Sequence, residues 1–179
     1  MISSTSPVSS IKLADGFSDP SLFSFSSNLV SLANDTHFEV KDPANLNVIG
    51  TLPDMGAAET RAAIDLAAET FTTFSKTTAR ERKAVMDKWY ALIMENQADL
   101  ARMVSLESGK PLKEAVSEVA YGASFIDWFA AETLRVDGET LPQIAANQRI
   151  IVLRVPVGVV GVITPWNFPL AMITRKVGA

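Results

Sequence analysis

Apolar positions along the chain follow two different periods. Between Gly56 and Arg135 they recur every three to four residues, the spacing of helices that bury one face. Outside that stretch they gather in short β-branched runs. The helical stretch is divided by its own punctuation. The first predicted helix starts after Gly56, carries Glu59 in its first turn, and repeats Ile64, Ala67 with Ala68, Phe71 and Phe74. The second opens at Thr78-Ala79-Arg80-Glu81, a capping box in which Thr78 and Glu81 satisfy each other's orphan amides. Its stripe is Val85, Trp89, Leu92 and Ile93. Asn96 with Asp99 is expected to re-cap the chain, which runs on through Leu100, Met103, Val104 and Leu106 until Gly109 and Pro111 stop it. The third helix, Leu112 to Arg135, places Val116, Val119, Ala123, Ile126 and Phe129 on one face. Core packing between helices is the expected use of these stripes, Trp89 and Trp128 included. Arg80, Glu81, Arg82 and Lys83 are expected on a solvated face.

The remaining runs read as strands. Phe38–Val40 and Asn47–Leu52 flank the turn-rich Asp42-Pro43-Ala44-Asn45. Gly138–Gln148 is a polar connection. Arg149–Val155 has the β-branched density of a strand, which Pro156 ends because proline has no N–H for a sheet ladder. Val157–Ile163 is apolar on both faces, as suits a parallel strand covered on both sides by helices. The turn Thr164–Pro169 follows, and then a helix over Leu170–Gly178. Strand, tight turn and helix together form the unit at which open α/β sheets bind ligands, outside the carboxyl ends of their strands.

Composition narrows the chemistry. The chain has 179 residues, 47% apolar and 20% charged, with a net charge of −4, as expected of a soluble globular protein with a sizeable core. Mild acidity argues against nucleic-acid and anionic-membrane partners, and no uninterrupted apolar stretch reaches the roughly 18 residues of a membrane span. There is no cysteine, so disulfides, Cys-ligated metal and thiolate catalysis are all excluded within these residues. With a single histidine, His37, in a polar loop-like stretch, no metal site is expected. Residues 1–37 are expected to be a flexible Ser-rich tail. A presequence for mitochondria would carry arginines; residues 1–31 have none, and Asp15 and Asp19 oppose Lys12. A cytoplasmic location is therefore expected, with a mitochondrial one as the alternative.

Two glycine-containing motifs do not bind phosphate on this pattern. In Glu107-Ser108-Gly109-Lys110 the first glycine of a phosphate loop would fall at Val104, and Pro111 stands at the Ser/Thr position. Gly158 and Gly161 lie before and within the predicted strand instead of opening a helix. The turn is different. Pro165 and Pro169 fix φ at two points, so Trp166 and Asn167 between them are restricted. A carboxamide held rigidly at a strand end can donate to an oxygen on which negative charge develops. Equally, Asn167 can serve only to cap the following helix. On physical grounds the two readings are even.

Ile163-Thr164-Pro165-Trp166-Asn167-Phe168-Pro169 resembles the signature of the aldehyde dehydrogenase superfamily. The likeness extends through Met55–Ile64, Glu107–Leu112, Ala123–Ala130 and Ala171–Lys176, motifs in the family's order, and is nearest to its succinate-semialdehyde dehydrogenases. It covers about Asp42 to Ala179 and fades upstream of Phe38. The resemblance implies an α/β fold: the amino-terminal part of the aldehyde dehydrogenase fold, with a helical part over 56–135, an oligomerisation strand at Arg149–Val155, and over 157–179 the first strand-turn-helix of a Rossmann-like cofactor domain. It implies NAD- or NADP-dependent oxidation of an aldehyde, with succinate semialdehyde, an intermediate of 4-aminobutyrate catabolism, as substrate. In that family a cysteine adds to the aldehyde, hydride passes to the nicotinamide, and a glutamate-activated water hydrolyses the thioester.

By the same resemblance Asn167 would donate to the oxyanion, and Ile163, Thr164, Pro165 and Trp166 would line the nicotinamide side of the cofactor cleft. Arg175 would grip the substrate's distal carboxylate, for which a guanidinium fork is suited. Lys176 would support the proton path. The plainer use of Arg175 and Lys176 is as cations at a helix C-terminus. The family's cysteine and general-base glutamate fall beyond Ala179. The 179 residues alone are thus expected to be inactive, an amino-terminal piece of the enzyme. The alternatives are a non-catalytic module that pairs with a full-length subunit through its strand, and a vestigial fragment.

Overall fold

The computed structural model describes residues 36–179. The Ser-rich stretch therefore lies almost wholly outside the described residues. At its edge there is a correction: His37 is the first residue of a strand, not of a loop. Strand β1 (His37–Lys41) pairs antiparallel with β2 (Val48–Pro53), from His37 opposite Pro53 to Lys41 opposite Val48, with an irregularity between Val40 and Lys41. The turn between them is built by its own side chains. Asp42 Oδ1 accepts from the Ala44 amide at 2.7 Å, and Asn45 Oδ1 from the Asn47 amide at 2.8 Å.

Helix α1 (Ala57–Phe74) begins as its pattern predicts. Glu59 Oε2 accepts from the backbone amide of Gly56 at 2.8 Å. Its stripe, however, meets no core: α1 has no buried residue, and Ile64 and Phe74 are exposed. Helix α2 (Ala79–Glu95) opens with the expected box, the Thr78 amide donating to Glu81 Oε2 at 2.7 Å and the Glu81 amide to Thr78 Oγ1 at 3.2 Å. Helix α3 (Gln97–Ser108) follows at once. Here the re-capping role of Asn96 is corrected: its Nδ2 donates backwards to the Leu92 carbonyl at 2.8 Å, closing α2 without capping α3. The stop at Gly109 is as predicted. Its φ of 70° is left-handed, a conformation that costs glycine little. Helix α4 (Leu112–Glu132) then runs to a single 3-10 turn, Thr133–Arg135.

The core lies between α2, α3 and α4. Ile93, Ala101, Val104, Ala115, Val119, Ala123 and Ile126 are buried there, with Met86, Trp89, Tyr90, Met94, Leu100 and Leu170 packed around them. The stripe expected of α2 is rotated: Val85 and Leu92 are exposed, and Met86 and Tyr90 take their places. On α4, Val116 is exposed and Trp128 is 65% exposed, so Trp128 faces mostly solvent instead of lying buried between helices. Period alone locates an apolar arc to within one neighbouring row, and the partner helices select the row.

The polar connection after α4 contains a strand. Helix-free residues Glu139–Leu141 form β3, antiparallel to β4 (Ile150–Val152), with Thr140 opposite Ile151. The strand expected over Arg149–Val155 is thus three residues long. Val157–Ile163 belongs to no sheet among the described residues; Val157, Val160 and Ile163 are exposed. Its apolar character suits a strand, but a ladder also needs a neighbouring edge, and among the described residues none lies beside it. After the turn comes α5 (Ala171–Val177), packed on α4. Among the described residues no helix is long and apolar enough to cross a membrane.

Candidate functional site

The turn Thr164–Pro169 is attached to the helical core at its downstream end. Leu170 packs against the core cluster, and Ala171 and Thr174 are buried. This docking needs a glycine. A Cβ on Gly122 of α4 would lie 3.2 Å from the Ala171 Cα and 3.2 Å from Thr174 Oγ1. The absence of a side chain at Gly122 is what lets α5 settle on α4.

The amino-terminal end of α5 is closed by a residue from another helix. Glu118, 2% exposed on α4, accepts at Oε1 from the amides of Leu170 (3.0 Å) and Ala171 (3.4 Å). Its other oxygen, Oε2, pairs with the ammonium of Lys110. Lys110 in turn donates to the backbone carbonyl of Asn167 at 3.0 Å and lies 4.1 Å from the centroid of the Phe168 ring. The ammonium thus has an anion, a carbonyl and an aromatic face about it, which offsets the cost of its burial. Neither Lys110 nor Glu118 stood out in the sequence. Lys110 sat in a motif read as a helix stop, and Glu118 interrupts an apolar face, the one signal that marked a buried acid.

This settles one of the two readings of Asn167. The residue makes no side-chain cap to α5; the capping acceptor is Glu118. Asn167 is held by its backbone carbonyl, and its carboxamide has no hydrogen-bond partner among the described residues. The other residues singled out from the sequence surround it unequally. Ile163 is 98% and Trp166 82% exposed, Pro165 is exposed, and Thr164 is half-buried. Arg175 and Lys176 lie in the last turn of α5, both exposed. The Arg175 guanidinium stands 5.2 Å from the centroid of the Phe125 ring, and Phe125 meets Tyr121 edge-on at 4.7 Å. An aromatic support under a guanidinium limits its rotamers while leaving its donors outward. Among the described residues no group of three or more His, Asp or Glu is placed to hold a metal ion.

The arrangement can present a carboxamide, a guanidinium and an exposed indole from one rigid turn and the helix after it. Cysteine is absent from the 179 residues. The model of the aldehyde dehydrogenase family matches residues 30–179. The chain is 51% identical over 145 residues to succinate-semialdehyde dehydrogenase [NADP(+)] GabD of Escherichia coli (strain K12), covering 81% of this chain and 30% of that protein. It is also 51% identical over 145 residues to a glutarate-semialdehyde dehydrogenase of Pseudomonas putida, with the same shares covered. Among solved structures, succinate-semialdehyde dehydrogenase from Burkholderia pseudomallei is 53% identical, with a TM-score of 0.79 over 80% of this chain and 30% of that one. The chain spans about 30% of the length of the curated relatives it matches.

Proposed function

Because the chain belongs to the aldehyde dehydrogenase family, we propose that residues 163–176 form one wall of a site that oxidises succinate semialdehyde to succinate. The observation that carries this reading is Asn167: an exposed carboxamide on a turn anchored from below, with the helix-capping task given to Glu118. In this role Asn167 Nδ2 donates to the oxygen that becomes negative when a nucleophile adds to the aldehyde carbon. Preorganisation is the benefit, since the turn is already braced before charge develops. Arg175 receives the far carboxylate, the group shared by succinate and glutarate semialdehydes, with Phe125 steadying its guanidinium. Lys176, one residue on, supports proton movement at the same end.

NAD or NADP, when bound, supplies the acceptor for the aldehyde hydride. The residues present fit a flat ring: Ile163 and Trp166 offer open apolar faces beside Thr164 and Pro165. With no cysteine in the 179 residues, the nucleophile must come from elsewhere, and these residues alone turn over no aldehyde. A second reading is favoured by the exposed apolar run through Leu153, Val155, Val157 and Ile163: pairing with another subunit through the β4 region.

The test is a chimera in which this chain replaces the aligned 145 residues of the E. coli relative. The expected result is NADP- or NAD-dependent oxidation of succinate semialdehyde, with Asn167→Ala lowering kcat by about 10²–10³-fold and Arg175→Ala raising KM. An active chimera indifferent to Asn167→Ala would overturn the assignment. For the isolated chain, reduced cofactor beyond one equivalent would do the same for its inactivity.

A further inference from the structure

We propose that Lys110 and Glu118 are positioning residues that set the Asn167 turn. The inference deepens the reading above, because its value to catalysis rests on Asn167 being the oxyanion donor. The helix after the turn has no side-chain cap of its own, and the run before the turn, Val157–Ile163, is in no sheet. Among the described residues, no sheet contact holds the turn from its upstream side. Two contacts from the helical unit do. Lys110 holds the Asn167 carbonyl at 3.0 Å, and Glu118 holds the Leu170 amide at 3.0 Å, so the turn is gripped on both sides of Phe168 and Pro169.

The grip is itself rigid. The Lys110 backbone carbonyl accepts from Ser105 Oγ at 2.7 Å, directly after the left-handed Gly109, which fixes where the side chain starts. Glu118 is buried among the core residues of α4, with Ala115 and Val119 fully buried beside it. The two charges pair with each other, so each orients the other: Glu118 uses one oxygen to hold Lys110 and the other to hold α5. A pair serving only to stabilise the helix bundle would need no contact with residues 167–171. Here both members also hydrogen-bond to that segment. A catalytic carboxamide displaced by about 1 Å loses much of its effect, so a brace of this kind acts through Asn167 without touching substrate.

The test is amide hydrogen exchange on the full 179-residue chain, read residue by residue by NMR. In the double variant Lys110→Met with Glu118→Leu, no buried charge is left alone and the bundle should stay folded. The expected result is a loss of protection of at least about tenfold at Leu170 and Ala171, as for removal of an acceptor that is charged, while Val119, Ala123 and Ile126 stay within about twofold. In Lys110→Arg the cation is retained and protection at Leu170 and Ala171 should stay near that of the parent. Equal loss at core and turn, or unchanged protection at Leu170 and Ala171, overturns the proposal. The measurement needs no turnover, so failure of the brace and failure of the oxyanion assignment are separate results.

Discussion

The Lys110 ammonium lies 3.0 Å from the carbonyl oxygen of Asn167, a residue 57 positions further along the chain. A helix-stop lysine is thereby joined to the turn that carries the candidate carboxamide. The same ammonium pairs with Glu118, so one cation, just after the α3 stop, ties the second turn of α4 to the turn that leads into α5. Removing it should be costly. Lys110→Met leaves the Glu118 carboxylate buried without its partner and is expected to destabilise the chain by about 3–5 kcal/mol. Adding Glu118→Leu should recover most of that. Urea denaturation of the three chains decides the matter, and a single variant as stable as the parent would refute the pairing as drawn.

Gly122 should tolerate no side chain. Gly122→Ala puts a methyl against Leu170, Ala171 and Thr174, where α5 meets α4. The expected loss is about 1–3 kcal/mol, accompanied by faster exchange along α5. If the amides of α5 keep their protection, α5 is not docked as described.

Glu81 should make the start of α2 sensitive to acid. Its carboxyl is held below the ordinary carboxylate range, first by the hydrogen bond from the Thr78 amide and then by that from the Thr78 hydroxyl. A depressed folded value means the contribution is complete above the unfolded value and is lost as pH falls through the folded one. Exchange in the first turn of α2 should therefore quicken over that acidic window in the parent. In Glu81→Gln that pH dependence should be absent; a variant that retains it would point to another group.

The run from Leu153 to Ile163 should exchange its amides quickly in the monomer. Among the described residues no ladder covers it, and Val157 and Ile163 are almost wholly exposed. Binding to a partner strand should slow the exchange, since an open edge with apolar side chains is a template for pairing. Uniform protection of residues 157–163 in the isolated chain would contradict the structure.

Much of this was readable one residue at a time. The Thr78–Glu81 box, the Gly109 stop, the paired β1 and β2 and the helix after Pro169 all depend on neighbours within a few positions, and local chemistry suffices for them. The exposed Trp128, the strand inside the polar connection and the missing ladder of Val157–Ile163 were not readable, because each depends on what lies opposite in space. The family resemblance was legible in the contiguous motif at Ile163–Pro169, and the match over residues 30–179 bears it out.

For Asn167 the sequence left a choice between capping a helix and remaining available to a ligand. Adjacency made both chemically sound, and no residue nearby could decide between them. The tertiary structure gave the cap to Glu118, 52 residues before the Leu170 amide it accepts from. A buried carboxylate aligned on two amides, and neutralised by Lys110, is a stronger acceptor than a neutral carboxamide. That competition between distant groups exists only once α4 and α5 are packed together.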